Sequence, residues 1–240
     1  MRLVTETGRL VDQLMSLFLS EKTRSYLLGV DRFQRYMPIV AKIPRTKTVL
    51  DVGGGGGEII KFLGREDITV LDPGFNEGLH GFRSYKVCGD GSSLPFKNNS
   101  FEIVLSVASL EHIAPGKRES YVNELKRVAK EKVLVYTPFG GLGEVYDLRI
   151  YSFRKRLGIH DQWTYEHIQN GLPSLEDLKR WFSGAKIGFI QNAKVWYAIM
   201  VLQTIPVFNR ILPGLCYSLF LKHFDNRGEK IGSVIEWVKG

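Results

Sequence analysis

The chain has little cysteine, no long apolar run and no export-type leader, and each shortage removes a class of protein. Two cysteines in 240 residues, Cys88 and Cys216, cannot build a disulfide framework, and neither lies in metal-ligand spacing. A reducing compartment and no metal site are therefore expected, with Cys88 read as a small core residue inside a strand. The most apolar window, Val195 to Phe208, contains Gln203, Thr204 and Pro206 and falls short of the ~20 residues that a spanning helix needs. The start of the chain is interrupted by Glu6, Arg9 and Asp12 and makes a poor export signal. The expectation is a cytoplasmic protein that does not cross a membrane.

What is abundant is glycine, and it is concentrated. In Thr48 to Ile60, TVLDVGGGGGEII, a β-branched run ends in Asp51 and five consecutive glycines follow, Gly53 to Gly57. Such a run reads as a buried parallel strand, and the glycines as a tight turn that lets a ligand touch backbone. A helix expected at Glu58 would point free N–H groups at that ligand. A dinucleotide fingerprint would put its third glycine at Glu58, where a carboxylate repels a pyrophosphate. The spacing that fits is D-x-G-x-G-x-G through Asp51, Gly53, Gly55 and Gly57, which suits a ligand that is cationic or zwitterionic near the loop. S-adenosylmethionine is such a ligand, with an ammonium and a sulfonium at one end and a ribose diol and adenine at the other.

Acceptors for the nucleoside end follow downstream. A second strand, Ile68 to Leu71, ends in Asp72, 21 positions after Asp51 and placed to accept both ribose hydroxyls. A third, Tyr85 to Cys88, leads to Asp90, whose carboxylate can read the adenine edge together with the backbone of Gly91 and Ser92. A fourth, Phe101 to Val107, contains Ser106 and opens into Ala108-Ser109-Leu110-Glu111-His112-Ile113. A fifth, Lys132 to Tyr136, ends in Thr137-Pro138-Phe139-Gly140.

With VLDVGGGGG, ITVLDPG, GDGSSLPFKNNSFEIVLSVASLEHI and VLVYTPFG in this order, residues 47 to 140 resemble the class I S-adenosylmethionine-dependent methyltransferases, the broad group that includes the ubiquinone and menaquinone enzymes. The resemblance implies an α/β, Rossmann-like seven-stranded sheet of order 3-2-1-4-5-7-6, with strand seven antiparallel and the cofactor over the ends of strands one to four. It implies cofactor contacts at Asp51, Gly53, Gly55, Gly57, Asp72, Asp90, Gly91, Ser92 and Ser106. The substrate lies outside what it implies.

Composition, 44% hydrophobic and 24% charged, agrees with one domain. Within it are expected a helical prefix over residues 1–45, a cofactor core over 46–140, a substrate loop over 141–173 and an apolar helical insertion over 194–228. The prefix reads as an amphipathic helix over residues 7 to 20 and a second apolar-periodic segment from Tyr26 to Ile39, serving as a cap or packed on a sheet edge. The long connection after strand five carries His160, Trp163, Tyr165, Glu166 and His167, an aromatic and acid/base set suited to lining a substrate pocket. Arg149, Arg154, Lys155 and Arg156 cluster in the same loop. Ser174 is expected to cap a helix, with Asp177 three residues on.

Strand six is placed at Ala185 to Gln191 and strand seven at Ile231 to Val238, with about 40 residues between them. That insertion is read as a substrate wall, an interfacial helix touching lipid, a subunit contact or an ordinary packed subdomain. Methyl transfer is an in-line displacement that mainly needs alignment and for which a base is optional; His112 is the residue best placed to take a proton from a hydroxyl or acidic carbon, or else it orients the loop near the methionine end of the cofactor. His80 and His223 are read as surface residues. The net charge of +8 would suit nucleic acid, but no N/D-P-P-aromatic tetrapeptide is present, and Thr137-Pro138-Phe139 stands there instead. A small or lipid- or glycan-linked acceptor is the reading, with a catalytically inactive S-adenosylmethionine-binding scaffold as the alternative. Oligomeric state is left open.

Overall fold

In the computed structural model of the chain, residues 29–74, 84–205 and 212–240 are described. The expected helix over residues 7 to 20, and His80, lie outside them. The sheet has seven strands in the order β3-β2-β1-β4-β5-β7-β6. These are β1 (Val49–Val52), β2 (Thr69–Asp72), β3 (Tyr85–Cys88), β4 (Phe101–Val107), β5 (Ala129–Pro138), β6 (Lys186–Asn192) and β7 (Lys230–Val238). Strands β1 to β5 pair in parallel, while β7 runs antiparallel to both β5 and β6. The order and the single reversed strand are those that the motifs implied.

The central strands read as continuous β-branched runs because both faces are covered. One face packs Leu50, Val104 and Val133 against Tyr121 and Leu125 of α3 (Arg118–Val128) and against Leu178 and Phe182, beside α6 (Leu175–Trp181). The other packs Val49, Ile103 and Leu134 against Ile59 and Leu63 of α2 (Ile59–Leu63) and Ile39 of α1 (Val30–Val40). Helix α2 stops at Gly64, whose φ of +64° is the left-handed conformation that glycine adopts without strain. Ser174 caps α6 as expected, its hydroxyl oxygen accepting the Asp177 N–H at 3.0 Å.

Helix α1 covers one face of the sheet through Ile39, with Asp31 accepting from Gln191 of the edge strand β6 at 3.1 Å. It also packs on α2, with Arg32 ion-paired to Glu58 at 2.7 Å and Tyr36 stacked on Phe62 at 4.9 Å. Its other side meets the insertion, where Val30 joins Val195, Ile199 and Tyr217 in a small core.

Three expectations are corrected. Cys88 is exposed, because β3 is an edge strand whose neighbour β2 covers only one side. The connection after β5 is not a loop: it folds into α4 (Leu142–Arg156) and α5 (Gln162–Asn170), whose apolar positions at helical spacing were hidden among polar and aromatic residues. The basic group accordingly sits on α4, where Arg154 is committed to Asp161 and Thr204 and Arg149 covers the Tyr146 ring. The insertion, residues 193–229, includes α7 (Ala193–Thr204), α8 (Leu212–Cys216), a π-helical turn Tyr217–Leu221 and α9 (Lys222–Asp225). It leaves from the end of β6 and packs against α4 through Tyr146 and Tyr197. Among the described residues no helix is long and apolar enough to cross a membrane.

Candidate active site

Register brings the three strand-end carboxylates to one side. Asp51 is opposite Val70 and Leu105, Asp72 is opposite Cys88, and Asp90 follows two residues later. The glycines between them serve different ends. Gly53 and Gly55 take φ of +72° and +49°, conformations that L side chains rarely adopt. A Cβ on Gly54 would stand 2.4 Å from the Asp51 carboxylate, so the backbone can only cross there without a side chain. Above Gly55 and Gly56 a Cβ would meet nothing within 4 Å, which leaves an open bed.

Asp72 ties the bed to β2. One carboxylate oxygen accepts the Gly55 N–H at 2.9 Å and the other the Gly74 N–H at 2.8 Å. Asp51 lies beneath the loop, 2% exposed, and its Oδ1 has no hydrogen-bond partner. Burial, with the nearby Asp72 charge adding to it, pushes its pKa up to about 7. Asp90 is exposed, and its Oδ1 accepts the Ser92 N–H at 2.8 Å in a tight turn. That donor is therefore engaged, while the Ser92 hydroxyl is buried without a partner. Two buried polar atoms without partners beside an open glycine bed fit a zwitterionic nucleoside that would satisfy them.

Two packing contacts fix this frame. Gly91 must be glycine because a Cβ would stand 2.3 Å from the Tyr121 ring. The Tyr121 hydroxyl in turn bonds Ser106 Oγ at 2.7 Å and donates to Val52 O at 3.2 Å. Ser106 is thus fully buried and spent on Tyr121 rather than brought to the loop. Ser109, not singled out in the sequence, reaches it instead and donates to Gly53 O at 3.0 Å.

Beyond β4 the backbone makes a strained turn, with Ala108 at φ of +55°, and enters a 3₁₀ turn, Leu110–His112. The turn buries Glu111 and delivers His112 to one face of α5. Trp163, Glu166, His167 and Asn170 lie at i, i+3, i+4 and i+7 on that helix, a single stripe. All four meet His112. Its Nδ1 is 2.9 Å from Glu166 Oε2, its Nε2 is 3.4 Å from His167 Nε2, its ring is edge-on to Trp163 at 5.1 Å, and its carbonyl accepts from Asn170 at 3.2 Å. His167 Nδ1 is 2.9 Å from Asp147 Oδ2, on the buried stripe of α4.

Burial holds the His112 pKa below its ordinary value, with Glu111 opposing and His167 reinforcing the shift. Burial also works against the His167 imidazolium, but the hydrogen bond to Asp147 and the charges of Glu111 and Asp147 outweigh it, so its pKa is raised. Opposite shifts on adjacent rings are what a proton-transfer pair needs. A shallow cavity of about 200 Å³ lies among Arg45, Lys47, Arg65 and Asp67, at the N-terminal ends of the strands and far from this chemistry.

Residues 50–137 match the family described as Methyltransferase domain. That segment is a methyltransferase domain of the class I S-adenosylmethionine-dependent type. Among curated relatives, the ubiquinone/menaquinone biosynthesis C-methyltransferase of Ruegeria is 28% identical over 169 residues, which cover 61% of this chain and 67% of its own. The corresponding Legionella pneumophila enzyme is 26% identical over 191 residues, covering 68% and 74%. Among solved structures, an S-adenosylmethionine-dependent methyltransferase of Thermotoga maritima has a TM-score of 0.55 at 18% identity over all of both chains. A chain of the Haloferax volcanii complex between a methyltransferase and the Trm112 methyltransferase activator has a TM-score of 0.52 at 16% identity, covering 96% and 93%. These two share the fold.

The methyltransferase brings most of the expected site residues together, but not all. Asp51, Gly53, Gly55, Gly57, Asp72, Asp90, Gly91 and Ser92 surround the glycine loop, and Glu166 and His167 meet His112. His160 is exposed in the turn before α5, and Tyr165 faces away, its ring 5.8 Å from Tyr151. Trp163 touches His112 with 66% of its surface still exposed. Glu111 and Asp147 were missed: the first lay unremarked beside His112, and the second on a helix read as loop.

Proposed function

We propose that this methyltransferase acts on an oxygen or an acidic carbon of a small or lipid-linked acceptor held over the His112–His167 pair. The observation that supports it most is the arrangement of the two imidazoles, each with Nδ1 on a carboxylate and Nε2 toward the other ring. With Nδ1–H donating to Glu166, the His112 Nε2 carries a lone pair that faces His167 Nε2 and can accept a proton when His167 is neutral. Bound S-adenosylmethionine supplies an electrophilic methyl on a sulfonium, an excellent leaving group. Asp72 accepts from the ribose hydroxyls, Asp51 faces the ammonium, and Asp90, Gly91 and Ser92 read the adenine.

The proton budget then closes. His112 Nε2 takes the proton of the acceptor O–H, or of a hydroxyl next to the acceptor carbon. His167, held by Asp147, shares the charge that results. Transfer would break the carbon–sulfur bond of S-adenosylmethionine, with the electron pair going to sulfur and S-adenosylhomocysteine as the leaving product. For a ring carbon, His112 would return its proton to the ring oxygen as the ring proton is lost to water, which restores the aromatic ring with net release of one proton. The C-methyltransferase activity in the relatives' names makes phenolic carbon acceptors the first class to screen. An apolar acceptor is supported by Leu219, Phe220 and Phe224, which are 64%, 64% and 58% exposed on the insertion, beside Lys222.

The test is single-turnover methylation of a panel of phenolic, hydroxylated and lipid-linked acceptors by wild type and His112→Ala. Turnover by the wild type that falls on substitution, with S-adenosylhomocysteine still bound, supports the reading. Full turnover by His112→Ala removes the base, and no turnover of any class favours the scaffold alternative.

A further inference from the structure

Glu111, His112 and His167 come from two elements more than 50 residues apart in sequence, and their ligand atoms all lie within 4.8 Å of one another. The two Nε2 atoms are 3.4 Å apart. Two nitrogens each about 2.0–2.1 Å from one ion at a near-tetrahedral angle stand about 3.3–3.4 Å apart, so the imidazoles already hold the bite of a metal chelate. Each ring is locked by a carboxylate on its remote nitrogen, Glu166 for His112 and Asp147 for His167. This is the carboxylate–histidine support that orients metal ligands and raises their basicity.

Glu111 supplies what a structural reading leaves unexplained. It is 1% exposed, and among the described residues its carboxylate accepts from one partner, the Thr137 hydroxyl at 3.1 Å. The guanidinium groups nearby form no ion pair with Glu111: Arg118 donates to the carbonyls of Ile113, Glu111 and Gly171, and Arg35 to Asp31. A fully buried carboxylate with no ion pair within 4.0 Å among the described residues, clustered with two imidazole Nε2 atoms, is a donor set that a metal cation would satisfy.

We propose that Glu111, His112 and His167 bind one divalent transition-metal ion. Two imidazoles and one carboxylate suit zinc, iron(II), cobalt(II) or manganese(II), whereas magnesium and calcium prefer oxygen donors throughout. The ligand atoms lie within 4.8 Å of one another, against about 3.3–3.4 Å in a tetrahedral site, so the carboxylate must close by up to about 1.5 Å. His112 and His167 keep 20% and 15% of their side-chain surface exposed, so an ion can enter and further ligands can add. The metal uses the same lone pairs that take the acceptor's proton, so the ion and the proton compete. Metal binding stands independently of the methyl acceptor.

Chelator-treated protein titrated with cobalt(II), read by its visible d–d absorption, and with zinc by calorimetry, tests this directly. One equivalent is expected to bind and to give a cobalt band of low coordination number. His167→Ala is expected to weaken it at least 100-fold, and the near-isosteric Glu111→Gln at least tenfold. Magnesium should not compete. Binding of S-adenosylhomocysteine by each variant shows that it is folded, a readout separate from the metal. Absence of saturable cobalt binding by wild type, or equal binding by folded His167→Ala, would overturn the proposal.

Discussion

The His112 Nε2 and His167 Nε2 atoms face each other at 3.4 Å while Glu166 and Asp147 hold the opposite edges of the two rings. Neither ring can turn away without giving up a carboxylate, and in the proposed mechanism His112 takes the proton while His167 shares the charge. His112→Ala is expected to lower turnover by about 10²-fold or more, the range for a positioned base. Affinity for S-adenosylhomocysteine should stay within threefold. Single-turnover rates and calorimetry on one preparation check both.

Glu166→Gln keeps the shape of the side chain but removes the charge that orients His112. Turnover is expected to fall by roughly tenfold, with little change in cofactor affinity, because Glu166 acts through the imidazole. A drop in acceptor KM alone would contradict this. Steady-state kcat and KM, measured with the best acceptor from the panel, separate the two.

Asp51 gives a pH signature. Its folded-state pKa, pushed up to about 7, lies above the ordinary carboxylate value, so the fold holds it neutral more readily than the unfolded chain does. Its favourable contribution to stability is fully present below about pH 4 and is lost as pH rises from there through about 7. Free Asp51→Asn protein should therefore melt higher than wild type at pH 8, by an amount equivalent to roughly 1–4 kcal/mol. A cationic ammonium selects the ionised form, so S-adenosylmethionine should bind more tightly as pH rises from 6 to 8. That slope should vanish in Asp51→Asn. Thermal melts and calorimetry at three pH values decide it.

Gly91 and Tyr121 are interlocked, since a Cβ on the glycine would sit 2.3 Å from the ring. Gly91→Ala is expected to destabilise the protein by about 1–3 kcal/mol, as overpacking does. It should also weaken cofactor binding, because the backbone of residues 90–92 must move. Denaturant midpoints for Gly91→Ala, Tyr121→Ala and the pair should show coupling, with the double variant less destabilised than the sum.

Much of this was legible in the sequence where one local signal carries both structure and chemistry. The run VLDVGGGGG fixes a buried strand and an open bed together, and Asp72 and Asp90 fall where parallel strands must end. The order of seven strands came from resemblance over those motifs. Legibility failed where a residue's role depends on a partner far along the chain. Ser106 reads as a cofactor contact until Tyr121 fills the space beside it. His160 and Tyr165 belong to an attractive acid/base string, but helical phase puts only Trp163, Glu166, His167 and Asn170 on the side facing His112. Treating residues 141–173 as loop hid that phase, and with it Asp147. Cys88 looks like core because a strand pattern does not say whether the strand has a neighbour on both sides.

The measurement that bears most directly on the account is calorimetric titration of wild type and Asp72→Ala with S-adenosylmethionine and S-adenosylhomocysteine, with NADH as control. One equivalent of each should bind wild type at micromolar concentration, bind Asp72→Ala at least tenfold more weakly, and NADH should not bind. Failure of wild type to bind either ligand, or undiminished binding by Asp72→Ala, would contradict the cofactor site on which the rest is built.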